Sequence, residues 1–235
     1  MLDLTRKRLL VVAPHPDDEI FGCGGLIQRV KAEGGKVYVL YLTVGATKDF
    51  SKKGSSGPDE RIREIRRVVK RMRIDGFHIA FPGDEYMLQL DHMPQRTLIN
   101  EIERGRLSLE TLKPQVLAFP SFADYNQDHR AANEACIAAT RPVNGSFKHT
   151  PRMLLEYELP YTGWSPTSGR EPNFFLPLDD AALSAKREAL KLYASQMKTK
   201  KGPISVYASE QLAKMRGVLS GVDAAEAYVL RRLLV

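Results

Sequence analysis

The chain is poor in cysteine, tryptophan and long apolar runs, and each shortage narrows what it can be. Its two cysteines, Cys23 and Cys136, are too few for a disulfide framework, so the 235 residues must rely on an apolar core. Neither has a partner at metal-ligand spacing. Both read as reduced fillers, Cys23 in a glycine turn and Cys136 in an apolar helical pattern. No stretch reaches the ~18 apolar residues of a membrane-spanning helix. The start, MLDLTRKRLLVVAP, has too short an apolar segment for a secretory signal, so cytosol is the expected compartment. Gly-x-Gly-x-x-Gly does not follow the first apolar run either, which argues against a dinucleotide-binding turn.

Charge is plentiful. Thirty-five Lys and Arg against 28 Asp and Glu leave a net charge of +7. Two blocks concentrate it, ERIREIRRVVKRMRI (Glu60–Ile74) and KTKKG (Lys198–Gly202). Within the first, Ile62, Ile65, Val68, Val69 and Met72 recur at helical spacing, which describes an amphipathic helix with one solvated face. No aromatic residues interleave with its charges to stack on bases, so nucleic acid is not an expected partner. A basic surface suits anionic small molecules better.

Apolar runs and helical patterns alternate along the chain. Arg8–Pro14 reads as a fully buried strand, then Asp17 to Glu33 as a helix closed by Gly34-Gly35. Further strands are expected at Lys36–Gly45, Phe77–Gly83, Gln115–Pro120 and Arg152–Pro160. Helices are expected at Asp59–Ile74, from Gln95 to about Leu112, and at Asp128–Thr140. Thr47 to Pro58 reads as a loop, and two or three closing helices are expected, starting near Asp179, Tyr207 and Asp223. The fold class this implies is α/β, Rossmann-like, a mostly parallel sheet with helices on both faces and a C-terminal helical elaboration, in one domain over residues 1–235.

Chemistry concentrates where the first strand ends, in VVAPHPDDEIFGCGG (Val11–Gly25). One reading is structural: Asp17, Asp18 and Glu19 complement the positive end of a helix, and the glycines let it pack closely. The other is a metal site. His15 and Asp18 lie three residues apart across a bend, and His with a carboxylate suits Zn²⁺ or Fe²⁺. A third ligand is available at the end of the fourth strand, in FPSFADYNQDHR, where His129 would bind and Asp128 would orient groups nearby.

These residues resemble a known family. APHPDDE followed by GCGG, with a later Asp-His at a strand-to-helix junction, is similar to the PIG-L/LmbE-like zinc-dependent N-deacetylases. LYLTVGA, the Arg/Glu-rich helix and GVDAAEAYVLRRL near the C-terminus extend the resemblance over most of the chain. It implies hydrolysis of an N-acyl group, usually acetyl on an amino sugar or glycoconjugate. By position, His15, Asp18 and His129 would be metal ligands and Asp17 the general base, ionised and ready because a cation lies close. Arg61 would grip substrate oxygens or else belong to the solvated helix face beside Arg63, Arg66 and Arg67; Asp84 would meet a sugar hydroxyl, and Asp124 would line the pocket or cap a turn. Glu156–Trp164 would supply an aromatic wall.

One position departs from the family pattern. Where many members carry a histidine three residues before the last ligand, this chain has Asn126, which can donate to an oxyanion but brings no charge. A non-catalytic, metal-retaining sugar-binding module and a deacylase of a non-sugar substrate therefore stand as alternatives. A homo-oligomer is compatible with the sequence. His78, His92 and His149 are expected outside the site.

Overall fold

Strand β1 (Arg8–Ala13) carries the unbroken apolar run Leu9 to Ala13, and in the computed structural model all five of those residues are fully buried. Residues 3–48, 54–143, 147–164, 171–197 and 201–234 are described. Helix α1 (Asp18–Ala32) and β2 (Lys36–Val44) follow β1. A short hairpin of β3 (Thr47–Lys48) and β4 (Ser55–Ser56) precedes α2 (Pro58–Met72) and β5 (Gly76–Pro82). Next come α3 (Gln95–Arg104), α4 (Leu109–Leu112), β6 (Val116–Pro120), α5 (Gln127–Ala139) and β7 (Met153–Tyr157). The chain closes with β8 (Phe174–Pro177), α6 (Asp180–Lys191), α7 (Val206–Ser220) and β9 (Ala225–Leu233).

The main sheet has seven strands in the order β5-β2-β1-β6-β7-β9-β8. The first five are parallel, and β9 runs antiparallel between β7 and β8. Alternate residues of β1 serve two cores. Leu9, Val11 and Ala13 pack with Ile20 and Ile27 of α1 and Ile65 and Val68 of α2, whereas Leu10 and Val12 meet Leu98 of α3 and Ala132 and Cys136 of α5. That two-sided burial is why the strand reads as a continuous apolar run. From β1 the chain winds through β2 to β5, then returns to β6 on β1's other side. The crevice between the carboxyl ends of β1 and β6 is therefore a topological switch point.

Three local expectations change. The helix expected near Asp223 is strand β9: AEAYVLRRL buries its first five residues between two neighbours, and sheet pairing overrides the helix propensity of Ala, Leu and Arg. The elaboration past β7 is thus two helices plus an antiparallel extension of the sheet. The helix expected from Gln95 to Leu112 breaks after Arg104, and α4 restarts with Ser108 capping it. The Gly-Cys-Gly-Gly run is helical, inside α1. A Cβ on Gly22 would lie 2.3 Å from the Tyr157 ring, and one on Gly25 would lie 2.2 Å from Leu178. The glycines let α1 approach β7 and the segment entering α6. The basic stretch Lys198–Gly202 lies partly outside the described residues. No described helix is long and apolar enough to cross a membrane.

A buried ion pair is threaded into α1. Glu226 on β9 accepts from the backbone N–H of Gly25 (2.7 Å) and Leu26 (2.9 Å), and from Tyr228 Oη (2.6 Å). Lys186 Nζ on α6 donates to the Phe21 carbonyl and to Glu226 Oε1, each at 2.7 Å. Glu226→Leu strands four donors and should cost about 3–5 kcal/mol in denaturant unfolding. Lys186→Met should cost less, because Glu226 keeps its three other donors. Equal losses would show that the ion pair, not the donor count, sets the penalty.

Candidate metal centre and active site

Two short segments meet at the switch point. After β1 the chain bends at Pro14, and the His15 backbone N–H donates to Asp18 Oδ2 at 2.8 Å, which closes the bend. After β6, Asn126 caps α5 by accepting from the Asp128 N–H, so His129 enters in the first helical turn. His15 Nε2 lies 2.9 Å from Asp128 Oδ2, and His129 Nδ1 lies 3.0 Å from Asp124 Oδ2. An ionised carboxylate only accepts, so each of those ring nitrogens carries the proton. The lone pairs are left on His15 Nδ1 and His129 Nε2.

Those two nitrogens face each other at 3.2 Å, and Asp18 Oδ2 lies 3.5 Å from the first and 3.2 Å from the second. Neutral imidazoles held in these tautomers cannot donate to one another, so the three electron-rich atoms call for a positive charge among them. Ligands ~2.0–2.1 Å from a tetrahedral Zn²⁺ sit about 3.3 Å apart, so the spacing fits three ligands with a fourth position open. All three side chains are buried.

Burial pushes the Asp18 carboxyl up, but the His129 charge and hydrogen bonds from His129 and His15 outweigh it and hold Asp18 below the usual range. Burial also opposes charging of His129, yet Asp18 and Asp124 raise it to about 10. Asp17 behaves differently. Burial first, then the Asp18 charge, lift its carboxyl well above the ordinary value, against the pull of Arg61. No hydrogen bond among the described residues engages its carboxylate.

A family profile described as GlcNAc-PI de-N-acetylase (PIG-L) matches residues 10–140, more than half of the chain. The chain belongs to the PIG-L family. Among solved structures, a conserved protein from Thermus thermophilus is similar at TM-score 0.74 and 30% identity, over 97% of this chain and 96% of that one. The diacetylchitobiose deacetylase of Thermococcus kodakarensis is 24% identical, over 81% of this chain and 70% of the relative. A hydratase, GalB of Pseudomonas putida, shares the fold at TM-score 0.72 and 21% identity, covering 97% of this chain and 98% of its own. The PIG-L fold alone therefore leaves the reaction open.

The structure brings together most of the residues singled out in the sequence. Arg61 is 1% exposed on α2 and donates through Nη1 to the Gly45 carbonyl at 2.9 Å, while its Nε is buried without a partner. It is no part of the solvated helix face. Asp128 holds His15 as expected and also accepts from the N–H groups of Leu88 (3.0 Å) and Leu90 (2.9 Å), which ties the loop after β5 to the site. Asp124 is buried and divides its oxygens between His129 and the Asn126 N–H, so it caps the turn before α5. Asp84 accepts from the Ala46 N–H and so fixes the turn after β2. His78 and His149 are half-buried and His92 is exposed; none joins the cluster. Tyr161 stacks loosely against His129 with centroids 6.3 Å apart, and Tyr125 flanks it at 5.6 Å, which puts part of the expected aromatic wall beside the cluster. Glu19 was read only as complementing the positive end of the helix, and Tyr193, distant in sequence and ordinary in type, offered no signal.

Without a metal ion, the proton on His129 supplies the positive charge among the three atoms. The stability it brings is complete below about 6.5, the group's ordinary value, and is lost as pH rises through about 10. Ring ¹⁵N shifts should therefore report a protonated His129 at pH 8, and a less basic one in Asp18→Asn. A neutral ring at pH 8 in the parent would contradict the arrangement.

Proposed function

We propose that the protein is a metal-dependent hydrolase that removes an N-acetyl group from an amino sugar or glycoconjugate, using Zn²⁺ or Fe²⁺ held by His15, Asp18 and His129. The observation that carries this reading is the convergence of His15 Nδ1, Asp18 Oδ2 and His129 Nε2 on one buried point, with the unengaged Asp17 carboxylate next to Asp18 in the chain. Two imidazoles and one carboxylate suit either ion. A divalent ion bound there supplies Lewis-acid polarisation of an amide carbonyl and acidifies a water.

The chain's own groups do the rest. Asp17 takes the proton of the attacking water and hands it to the leaving nitrogen, so that amine and acetate separate. Asn126 commits Oδ1 to the Asp128 N–H, which leaves Nδ2 as the atom that can donate to the acyl oxygen as charge develops. Arg61, buried and in no described ion pair, grips a hydroxyl or anionic oxygen of the substrate. The acetamido sugar is supported by the family's description and by a relative that acts on diacetylchitobiose.

Metal content measured together with amine release from a panel of N-acetyl sugars tests the reading. His129→Ala should lose both metal and turnover. Asp17→Asn should keep its metal while turnover falls by about 10²–10⁴; parallel loss of metal would make Asp17 a ligand or a structural residue. Asn126→Ser keeps a helix cap but removes the amide donor, so a fall in kcat of about 10–10³ at near-parental stability is expected. If Asn126→Ser is as fast as the parent, oxyanion stabilisation lies elsewhere.

A further inference from the structure

We infer that Glu19 and Tyr193 are positioning residues for Asp17, holding its backbone in the conformation that points its carboxylate away from the helix it precedes. The inference deepens the deacetylase reading and rests on it for the role of Asp17. Asp17 has φ 105° and ψ −28°, a region that residues with a side chain rarely adopt. An aspartate just ahead of a helix ordinarily turns its side chain onto the first free N–H groups. Here the cap hydrogen bond is absent, although the Asp17 carbonyl accepts from the N–H groups of Ile20 (3.0 Å) and Phe21 (2.9 Å) as the position requires.

Something must hold the residue in that state. Its N–H donates to Glu19 Oε2 at 3.1 Å. Glu19 is fully buried, and its other oxygen accepts from Tyr193 Oη at 2.6 Å. The Tyr193 hydroxyl also pairs with the Tyr41 hydroxyl, 3.1 Å away. Tyr41 comes from β2 and is rigid within the sheet; Tyr193 lies just past the end of α6. The chain is thus Asp17 N–H, Glu19, Tyr193, Tyr41, with all three supporting side chains fully buried. The same segment docks on α2, where Ser195 donates to Glu64 through N (2.9 Å) and Oγ (2.6 Å). Helix α6 and the turn after it, outside the 10–140 stretch of the family match, therefore act on the catalytic turn.

Glutamine can copy the hydrogen bonds of Glu19, its amide oxygen accepting from Asp17 and the hydroxyl of Tyr193 turning to accept from its amide; alanine cannot. Glu19→Ala should lower kcat per metal-loaded chain about 100-fold with KM and metal content near the parent's, as expected for a group held about 1 Å out of place. Glu19→Gln should recover most of that loss, and Tyr193→Phe, which removes only the hydroxyl, should fall between them. A crystal structure of Glu19→Ala should show Asp17 out of the positive-φ region. If Glu19→Ala does not fold, Tyr193→Phe supplies the same kinetic comparison and its structure the same backbone test. The inference is overturned if Glu19→Gln is as slow as Glu19→Ala, if the losses follow metal content, or if φ at Asp17 is unchanged in the variants. A parent chain that releases no amine from any N-acetyl substrate would instead count against the deacetylase reading, and the backbone test would still decide the positioning claim.

Discussion

Five carboxylates, those of Asp17, Asp18, Glu19, Asp124 and Asp128, are buried around two imidazoles at the switch point of the sheet. Burying so much negative charge is unfavourable unless each oxygen is answered. Asp124 and Asp128 are answered by histidine N–H groups and backbone amides, and Glu19 by Tyr193 and the Asp17 N–H. Asp18 is answered by the His15 N–H and by whatever positive charge joins it to the two histidine lone pairs. Asp17 alone is left over. The demand for a cation and the availability of a base follow from the same balance of donors and acceptors.

The scaffold makes this arrangement possible. Parallel strands β1 and β6 pair Leu9 with Val116 and Val11 with Ala118, so their carboxyl ends lie level and the two ligand-bearing segments start side by side. Asp128 then serves two structures at once, fixing the tautomer of His15 and anchoring the loop after β5 through two backbone amides. Helix α1, which carries Asp18 and Glu19, cannot drift, because its glycines are pressed against Tyr157 and Leu178 and its middle is clamped by Lys186 and Glu226. The C-terminal third of the protein thus works on the site from behind. Its side chains hold the helix and brace the turn that precedes it.

Shared fold does not imply shared chemistry, as the hydratase among the structural neighbours illustrates. What distinguishes a hydrolytic site is local: an open position beside a held cation, a base that the protein has not already engaged, and donors where oxygen charge develops. His15, Asp18 and His129 form a group that could hold a metal ion, and no hydrogen bond among the described residues engages the Asp17 carboxylate. Asn126 bears on the third, and the cap it makes on α5 gives its amide a fixed orientation.

By itself the sequence determined the buried central strand, the parallel α/β order and the two His/Asp motifs, because each is written in contiguous residues: an apolar run, helical periodicity, or His and Asp within a few positions of each other. It singled out Arg61 without saying how deeply it was buried. Tertiary structure decided whatever depends on partners far along the chain. Strand β9 is a strand because β7 and β8 pair with it, although its composition favours a helix. Asp124 serves His129, and Asp84 serves a backbone turn, because side-chain direction is set by the folded loop and not by spacing. Tyr193 reaches Glu19 across 174 positions of sequence, a separation over which only folding can bring two ordinary residues together.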